Sequence, residues 1–558
     1  MAAFAPLIFA FVFFFHTTLV DSAGLRGPPR VNMQEVEASL FTELAKSFRS
    51  DTATDHIIAL EAALRPMYTV APHEADGTLH HNVVNYILHR FFVKQHGWFI
   101  RGLEPGTGIS NRTGGPQSFQ DLQEWVPSHV HSFLEKLQGK NGIGLRELAI
   151  IASTLDDLIH KEAVSRLHEA FGSIDLDINT PLDADKARVI LEIWMMIYMV
   201  GGNFHIKGYE KVLKAHDVFV KSNKDWFQVQ DWIHKLQLEL FPHQRSLAFN
   251  DTVRIVEEVG RRYGRYNDNM CGKLKEELLS VESKKAGRVR LTEFYKKGLK
   301  GIFEFDEKFE YLRTLGVLDE SDPKQAHVII PNYISSRANC LSTSSFYVVC
   351  CRNECEDLMA VMEQRIGKAT ATPEQILDII SSLSASRATA SQRVTPSQID
   401  RLHGIASMHE GFVPLHGRLF AQWMHHVFPR ECPYPHAHGM TSPQTPDEWM
   451  QQNGEKDSKA SKEEIMEHIN NDSCGADEPV GEEARKHHHF EENELPWDNE
   501  EELLRPMAKL GELEQANSPV HRLLSFVAPS VAMSALLFAC RKALSSKSKT
   551  DLPLSFAH

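Results

Sequence analysis

Histidine is the residue type whose number and spacing most readily suggest chemistry in this chain. The sequence contains 29 histidines, and imidazole nitrogens are common ligands of copper and zinc. His89 and His96 lie seven residues apart and therefore share one face of a predicted helix. The histidines near this helix are His80, His81, His89 and His96, and those of a second group are His403, His409, His416, His425, His426, His436 and His438. Two such groups on facing helices could hold a metal centre.

The spacing within both groups resembles the histidine motifs of type-3 copper proteins, the tyrosinase and hemocyanin family. His80 and His89 have the family's gap of eight residues, and the segment 420–426 is similar to its Phe-x-x-His-His ending, two residues longer. The resemblance implies a metal-dependent oxidoreductase whose copper ligands are His80, His89, His96, His416, His425 and His426. The chain lacks the family's His-x3-His pair, and Arg430 replaces an expected acidic residue. Histidines that bind no metal are therefore the other interpretation.

A second pattern resembles part of an EF-hand calcium loop. Gly287 stands at the position of the sharp turn, Val289 at the short β contact and Glu293 at the bidentate carboxylate. The first half of the loop differs, because Lys284 and Ala286 occupy positions that need oxygen ligands. The pattern therefore favours a helix–loop–helix that carries no metal.

Cysteine clustering indicates local disulfide bonds. The disulfide candidates are Cys340, Cys350, Cys351, Cys355 and Cys432, and they are flanked by Cys271 and Cys474. Such clustering is typical of proteins that fold in an oxidising compartment. The adjacent Cys350 and Cys351 are expected to bond to different partners, and the connectivity stays open. Because these cysteines number seven, one is expected to be free or to pair between chains.

Other short patterns bear on modification and on enzyme class. Asn-x-Ser/Thr sequons make Asn111, Asn250 and Asn471 candidates for N-glycosylation. The sequence holds no Gly-x-Ser-x-Gly elbow, no P-loop, no Gly-x-Gly-x-x-Gly and no His-Glu-x-x-His. With 60 basic against 74 acidic residues and no basic domain, the chain has no electrostatic footprint for nucleic acid.

Helices are the elements that must position these residues. Apolar residues recur at helical spacing through most of the chain, and strand candidates are few, the best being His327–Ile334 and Phe346–Cys350. The predicted fold class is mainly α, a multi-helix luminal or extracellular domain with a small disulfide-rich loop region. We assign residues 24–245 to an N-terminal helical region and residues 246–440 to a helical region with Cys-rich loops.

Hydrophobic segments near the two ends predict the topology. Residues 1–23 contain an apolar run followed by small residues, which is typical of a cleaved signal peptide. An uncleaved anchor is the alternative, because no Lys or Arg precedes the run. Leu523 to Cys540 carries no charge and is long enough to cross a bilayer, so residues 521–542 are predicted to be a single C-terminal transmembrane helix. Basic residues after it predict a cytoplasmic tail, residues 543–558.

Residues 441–520 differ in composition from the rest. Acidic, Ser, Gln and Asn residues dominate there, and such a stretch is expected to bury too little apolar surface to fold. We predict an acidic disordered stalk with a short helix near Lys462 to Asn470 and a second helix, Glu500 to Leu513, that leads toward the membrane. The run from His487 to His489 lies among glutamates, where it could sense pH near 6 or simply be a solvated polar run.

Together these features predict a single-pass type I membrane protein whose helical ectodomain binds or organises partners. The ectodomain would be luminal or extracellular, in the secretory pathway or at the cell surface, and attached to the membrane by the C-terminal helix. Its ligand stays open, and this interpretation needs no cofactor. The alternative is the luminal copper oxidoreductase that the histidine resemblance implies.

Overall fold

The structure is a computed structural model, and it describes residues 54–101, 103, 143–201, 206–223, 226–300, 303–322, 325–341, 344, 347–386, 394–473 and 494–504. Within these residues the chain forms sixteen α-helices and nine strands of two or three residues. The predicted mainly α fold class is therefore confirmed.

The helices are numbered in chain order. They are α1 (Thr54–Val70), α2 (His81–His96), α3 (Leu145–Ser173), α4 (Ala184–Val200), α5 (Tyr209–Ser222), α6 (Trp226–Leu240), α7 (Phe249–Leu279), α8 (Leu291–Lys300), α9 (Phe309–Thr314), α10 (Ile330–Ile334), α11 (Cys355–Ile366), α12 (Pro373–Ser386), α13 (Pro396–Met408), α14 (Arg418–Val427), α15 (Pro446–Asn453) and α16 (Lys462–Ser473). The strands are β1 (Trp98–Ile100), β2 (Leu182–Asp183), β3 (Ser246–Leu247), β4 (Arg288–Arg290), β5 (Leu318–Asp319), β6 (His327–Ile329), β7 (Tyr347–Val349), β8 (Thr370–Ala371) and β9 (Val413–Pro414).

Short antiparallel strand contacts join the helices in pairs. β2 pairs with β3, β4 with β6 and β8 with β9, and each of these strands lies shortly before a helix. Because each strand is so short, the contacts set the register of the helix pairs and add little area of their own. β5 extends the β4–β6 pair, and β1 pairs with β7 to join α2 to the disulfide-rich region.

Three hydrophobic clusters form the core. The first comprises α1 to α6, the first half of α7, and β1 with β7. The second comprises the rest of α7, α8 to α10, α15 and α16, and the third comprises α11 to α14. The long helix α7 belongs to two clusters, since Tyr263 lies in the first and Leu274 in the second. The predicted domain boundaries stay predictions, although the first two clusters meet within α7 and not at residue 245.

The prediction of a disordered stalk is wrong for residues 441–461 and 494–504, but the short helix predicted near Lys462 to Asn470 is confirmed as part of α16. The described start of the second predicted helix, residues 500–504, is not helical. Trp449 on α15 and Ile465 on α16 are buried in the second cluster. At the start of α15 the Glu448 side chain accepts from the Thr445 backbone N–H at 2.9 Å, which is one half of a capping box. A few well-placed apolar residues are thus enough to fold a segment whose average composition is polar. Residues 474–493 and 505–520 lie outside the described residues.

The segments that predict the topology also lie outside the described residues. They are the signal peptide at 1–23, the helix at 521–542 and the tail at 543–558. No helix within the described ranges combines the length and the apolar character that crossing a bilayer requires.

Candidate partner-binding groove

Three disulfides connect the Cys-rich loops to the helices. Cys340 bonds to Cys350, Cys351 to Cys271, and Cys355 to Cys432. All five candidates are therefore disulfide-bonded, and the adjacent Cys350 and Cys351 bond to different partners, as predicted. The sequence pattern leaves Cys271 as a flanking residue, but its place on α7 brings it to Cys351. Cys474 lies outside the described residues.

The three copper candidates near the N-terminus lie in separate environments. His80 caps α2, where its Nδ1 accepts from the Asn82 N–H at 3.4 Å. His89 packs edge-on against Phe99 with ring centroids 5.1 Å apart, and burial lowers its pKa to about 3. His96 stacks on Trp98 at 4.2 Å, and burial lowers its pKa to about 4. Capping and packing therefore account for all three side chains.

The other three copper candidates belong to the C-terminal histidine group. His416 Nε2 lies 2.9 Å from the Glu363 carboxylate, and His425 Nδ1 lies 2.7 Å from the Cys432 carbonyl. His426 packs against Trp497 at 5.6 Å. Across the described part of the chain, no three or more His, Cys, Asp or Glu side chains are grouped to hold a metal ion. The six histidines are not brought together, so the arrangement that the copper hypothesis needs is not found among these residues.

The glycosylation candidates stay predictions. Asn250 is exposed in the first turn of α7, and Asn471 lies in the last turn of α16. Asn111 lies outside the described residues.

Residues 494–504 and the surface beneath them form the clearest candidate for a binding site. This segment, which we call the acidic strap, crosses α13, α14 and the loop 432–438 without forming helix or strand. Its five carboxylates are Glu494, Asp498, Glu500, Glu501 and Glu502, and it contains no Lys or Arg. We call the surface beneath it the groove, which is formed by Arg401, His409, Arg418, Gln422, His426 and Tyr434.

Three pairs of side chains match the charge of the acidic strap to that of the groove. They are Arg401–Glu494 at 2.6 Å, Arg418–Asp498 at 2.6 Å and His409–Glu501 at 3.0 Å. The His409 pair is ionic only when the imidazole is protonated. Charge-assisted hydrogen bonds of this kind fix the direction and register of an extended segment.

Arg418 is the central residue of the groove. Its side chain is buried, and besides Asp498 it donates to the Glu500 carbonyl through Nε at 2.9 Å. Its backbone N–H donates to the Glu502 carbonyl at 3.0 Å. A further N–H donates to the Pro435 carbonyl at 2.9 Å, which ties the loop 432–438 to the same guanidinium. A buried guanidinium needs such partners, so the acidic strap satisfies donors that the groove alone would leave unpaired.

Uncharged side chains of the groove form hydrogen bonds with the backbone of the acidic strap. The fully buried Gln422 amide lies against the Asp498 backbone, and the amide orientation that satisfies both groups donates to the Asp498 carbonyl at 3.1 Å and accepts from the Asp498 N–H at 2.8 Å. The Tyr434 hydroxyl donates to the Pro496 carbonyl at 2.9 Å. These contacts recognise an extended backbone whatever its side chains.

Two apolar side chains anchor the acidic strap. Leu495 is 5% exposed. Trp497 packs against His426, and the Arg401 guanidinium lies 5.2 Å from its ring. Burial lowers the pKa of His426 to about 3, with further contributions from His425 and Arg401, so this imidazole is neutral when it meets the indole. The groove therefore offers a cationic rim and an uncharged aromatic floor.

Sequence reasoning found one half of this site and missed the other. It singled out the C-terminal histidine group, of which His409 and His426 line the groove. The acidic strap was missed because it falls within a stretch of acidic composition. The signal that could have revealed it is the Leu-Pro-Trp sequence at 495–497, since large apolar residues are rare in chains that do not fold.

Comparison with known proteins identifies no relative of this chain. The chain matches no protein-family model, no curated protein and no solved structure.

Proposed function

We propose that the chain is a membrane-anchored ectodomain that binds acidic segments of partner proteins in the groove. The observation that carries this proposal is the docking of the acidic strap through two arginine–carboxylate ion pairs, the His409–Glu501 contact and two apolar anchors. A partner with carboxylates spaced around a Leu-Pro-Trp-like sequence would find the same contacts. In this scheme the strap fills the groove in cis and is exchanged for the partner.

The chemistry of the groove supports peptide recognition. Extended acidic motifs are commonly bound by arginine clusters, with apolar anchors that provide specificity. The strap competes at the high effective concentration of a tethered segment, which sets a threshold that a partner must exceed. The site would therefore select partners of higher affinity than the strap itself.

The membrane placement rests on sequence and on cysteine chemistry. The apolar runs at residues 1–23 and 521–542, with basic residues after the second, favour a luminal or extracellular ectodomain. Three disulfides favour an oxidising compartment, since such bonds are rare in the cytosol. We propose a secretory-pathway or cell-surface location on these grounds.

A labelled peptide of residues 494–504 tests the groove in the full-length chain. Leu495→Ala with Trp497→Ala should release the tethered strap, so the peptide should bind this variant at least tenfold more tightly than the native chain. Adding Arg401→Gln should weaken that binding about tenfold. Arg352→Gln is the matched control, because Arg352 pairs with Asp357 away from the groove, and it should change nothing. Equal binding by the native chain and the release variant would contradict the proposal.

Membrane topology is tested separately. We expect a tag placed after His558 to be protected from external protease, Asn111 to be glycosylated, and the chain to stay with membranes in carbonate. An accessible tag or release by carbonate would refute the anchored orientation and leave the groove proposal to stand or fall on the peptide.

A further inference from the structure

A cavity of about 320 Å³ lies beside the Cys271–Cys351 disulfide, away from the groove. Its walls come from the second half of α7, the segment 303–307, the loop 333–339 and the segment 446–459. The volume is at the lower end of the range that binds small molecules.

Two paired segments build the acidic wall of the cavity. The Lys308 N–H donates to the Ser458 carbonyl at 2.9 Å, and the Ala460 N–H donates to the Asp306 carbonyl at 2.6 Å. This pairing places Glu307 opposite Lys459. The wall is therefore held by backbone hydrogen bonds, and its side chains are preorganised.

Glu307 has an acceptor atom that the surrounding protein does not use. Its Oε1 accepts from the Tyr333 hydroxyl at 2.7 Å, and its backbone carbonyl accepts from the Tyr295 hydroxyl at 3.0 Å. Its Oε2 is shielded from water and has no hydrogen-bond partner among the described residues. Burial raises the pKa of this carboxyl to about 7. A buried carboxylate oxygen without a donor is costly, so a ligand that brings a donor is favoured there.

The charges around the cavity favour a cation over an anion. Glu304, Asp306 and Glu307 line it together with one cation, Lys459. Lys459 forms ion pairs with Glu304 and, at 3.3 Å, with Asp306, so its charge is already engaged. The lining therefore has an excess of negative charge. Glu307 is the carboxylate whose charge is least neutralised by Lys459.

The rest of the lining includes apolar side chains. These include Met270, Leu274 and Phe303, and the ring of Tyr333 lies next to the carboxylate. An apolar body would fit against these side chains, and an ammonium group beside the Tyr333 ring would gain from its π-face. A bare metal ion is disfavoured, because among the described residues no three acidic, His or Cys groups are placed to coordinate one.

We propose that this cavity binds a small organic amine, with the ammonium group paired with the Glu307 carboxylate and the apolar body packed on Met270, Leu274 and Phe303. No covalent step is involved. The site is independent of the groove, and it assigns a second binding activity to the same domain.

Calorimetry on the purified full-length chain with three probes of one shape tests the inference. The probes are 2-phenylethylamine, 2-phenylethanol and 3-phenylpropanoate, which differ in charge at the head. We expect the amine to bind at least tenfold more tightly than either of the others. Glu307→Gln should weaken the amine about tenfold and leave the alcohol within twofold. Glu320→Gln is the control, because that half-exposed carboxylate pairs with Arg313 and is not part of the cavity lining, so it should have little effect.

Several results would overturn the inference. They are no binding of the amine, equal or tighter binding of the alcohol or the carboxylate, or an amine affinity unchanged by Glu307→Gln. Ala338→Phe, which should fill the cavity, must abolish amine binding while the urea midpoint shows that the chain is folded. Displacement of the amine by Ca²⁺ alone would indicate a metal site and would likewise reject the proposal.

Discussion

The Arg430 guanidinium forms a bidentate ion pair with the Glu282 carboxylate, with N–O distances of 2.9 and 2.7 Å, although the two residues are 148 positions apart in sequence. Glu282 also accepts from the Gly287 N–H at 2.6 Å. Glu282 is the first and Gly287 the sixth residue of the loop 282–293, whose second half resembles an EF-hand, and β4 supplies the expected short strand. The carboxylate at the first position of that loop is thus engaged by an arginine two residues before Cys432. Arg430, which lies in the turn before the disulfide-bonded Cys432, therefore ties that turn to the loop at Glu282.

Gly287 should not tolerate a side chain, because the backbone at Pro429 lies directly against it. Its φ is +72°, and an added Cβ would lie 2.0 Å from the Pro429 carbonyl oxygen. Gly287→Ala should lower the free energy of unfolding by about 3–4 kcal/mol, since left-handed strain and a backbone clash add. Gly367→Ala is the matched control: φ is +66° and nothing lies within 4 Å. It should cost about 1 kcal/mol. Equal losses in urea titrations would show that the turn at Pro429 does not press on the loop.

The helical fold could be predicted from sequence because apolar periodicity is a local signal. Boundaries that depend on distant partners could not. The segment His327–Ile334 was predicted as one strand, whereas it forms β6 and then α10. Pro331 explains the change, since it stands in the first turn of a helix, where its missing N–H is not needed. The acidic strap was hidden for a related reason, because its order depends on Arg401 and Arg418, about 80 to 90 residues earlier.

The histidines also show that a local sequence pattern does not reveal contacts with distant residues. Their number and spacing suggest a metal centre, yet His89 packs on Phe99 and His425 bonds to the Cys432 carbonyl. Spacing along a helix defines a shared face but says nothing about what that face meets. The cavity beside Cys271 could not be foreseen either, because its acidic wall joins residues 306–308 to residues 458–460.

The three disulfides should differ in what they contribute. Cys355 and Cys432 are separated by 77 residues, and Cys340 and Cys350 by only 10. In the chain-entropy model, opening the longer loop costs about 4–5 kcal/mol and opening the shorter loop costs about 3 kcal/mol. Paired Cys→Ser variants at each bond, compared in urea without reductant, should show this order. A reversed order would mean that residual structure in the unfolded chain, and not loop entropy, dominates.

Glu363 joins the first and third clusters through a buried ionic network. Its Oε2 accepts from Arg90 on α2 at 3.2 Å and its Oε1 from His416 at 2.9 Å. Burial alone would raise the pKa of Glu363, but the His416 hydrogen bond and the Arg90 charge outweigh it and lower the pKa to about 2. Glu363→Ala should therefore cost about 3 kcal/mol, because the buried Arg90 guanidinium loses two hydrogen bonds and keeps the partly exposed Glu356 as its remaining carboxylate partner.

Two comparisons define that test in urea unfolding. Glu354→Ala removes a half-exposed partner of Lys275 and should cost less than about 1 kcal/mol. The double variant Arg90→Met with Glu363→Leu should recover much of the loss, because no unpaired charge remains. If Glu363→Ala cost no more than Glu354→Ala, the network would contribute nothing to joining the clusters.

Asp156 on α3 should make stability fall as pH rises. Its side chain is largely buried, its Oδ1 has no hydrogen-bond partner among the described residues, and burial raises its pKa to about 7. His160 Nδ1 lies 3.5 Å away, but burial lowers the pKa of His160 to about 4, so that imidazole is neutral and does not offset the charge. The folded chain thus holds a proton that the unfolded chain releases near pH 4. The stabilisation is complete below that pH and is lost as pH rises through about 7.

Asp156→Asn should remove this dependence. The two chains should have similar free energies of unfolding at pH 4, and at pH 8 the variant should be the more stable by up to about 4 kcal/mol. Glu307 is expected to titrate in the same window, so the difference between variant and native chain, and not either curve alone, is the quantity to measure by urea titration from pH 4 to pH 8. A constant difference across that range would mean that Asp156 is ionised at the same pH in the folded and unfolded chains, and that the cluster with His160 stores no proton.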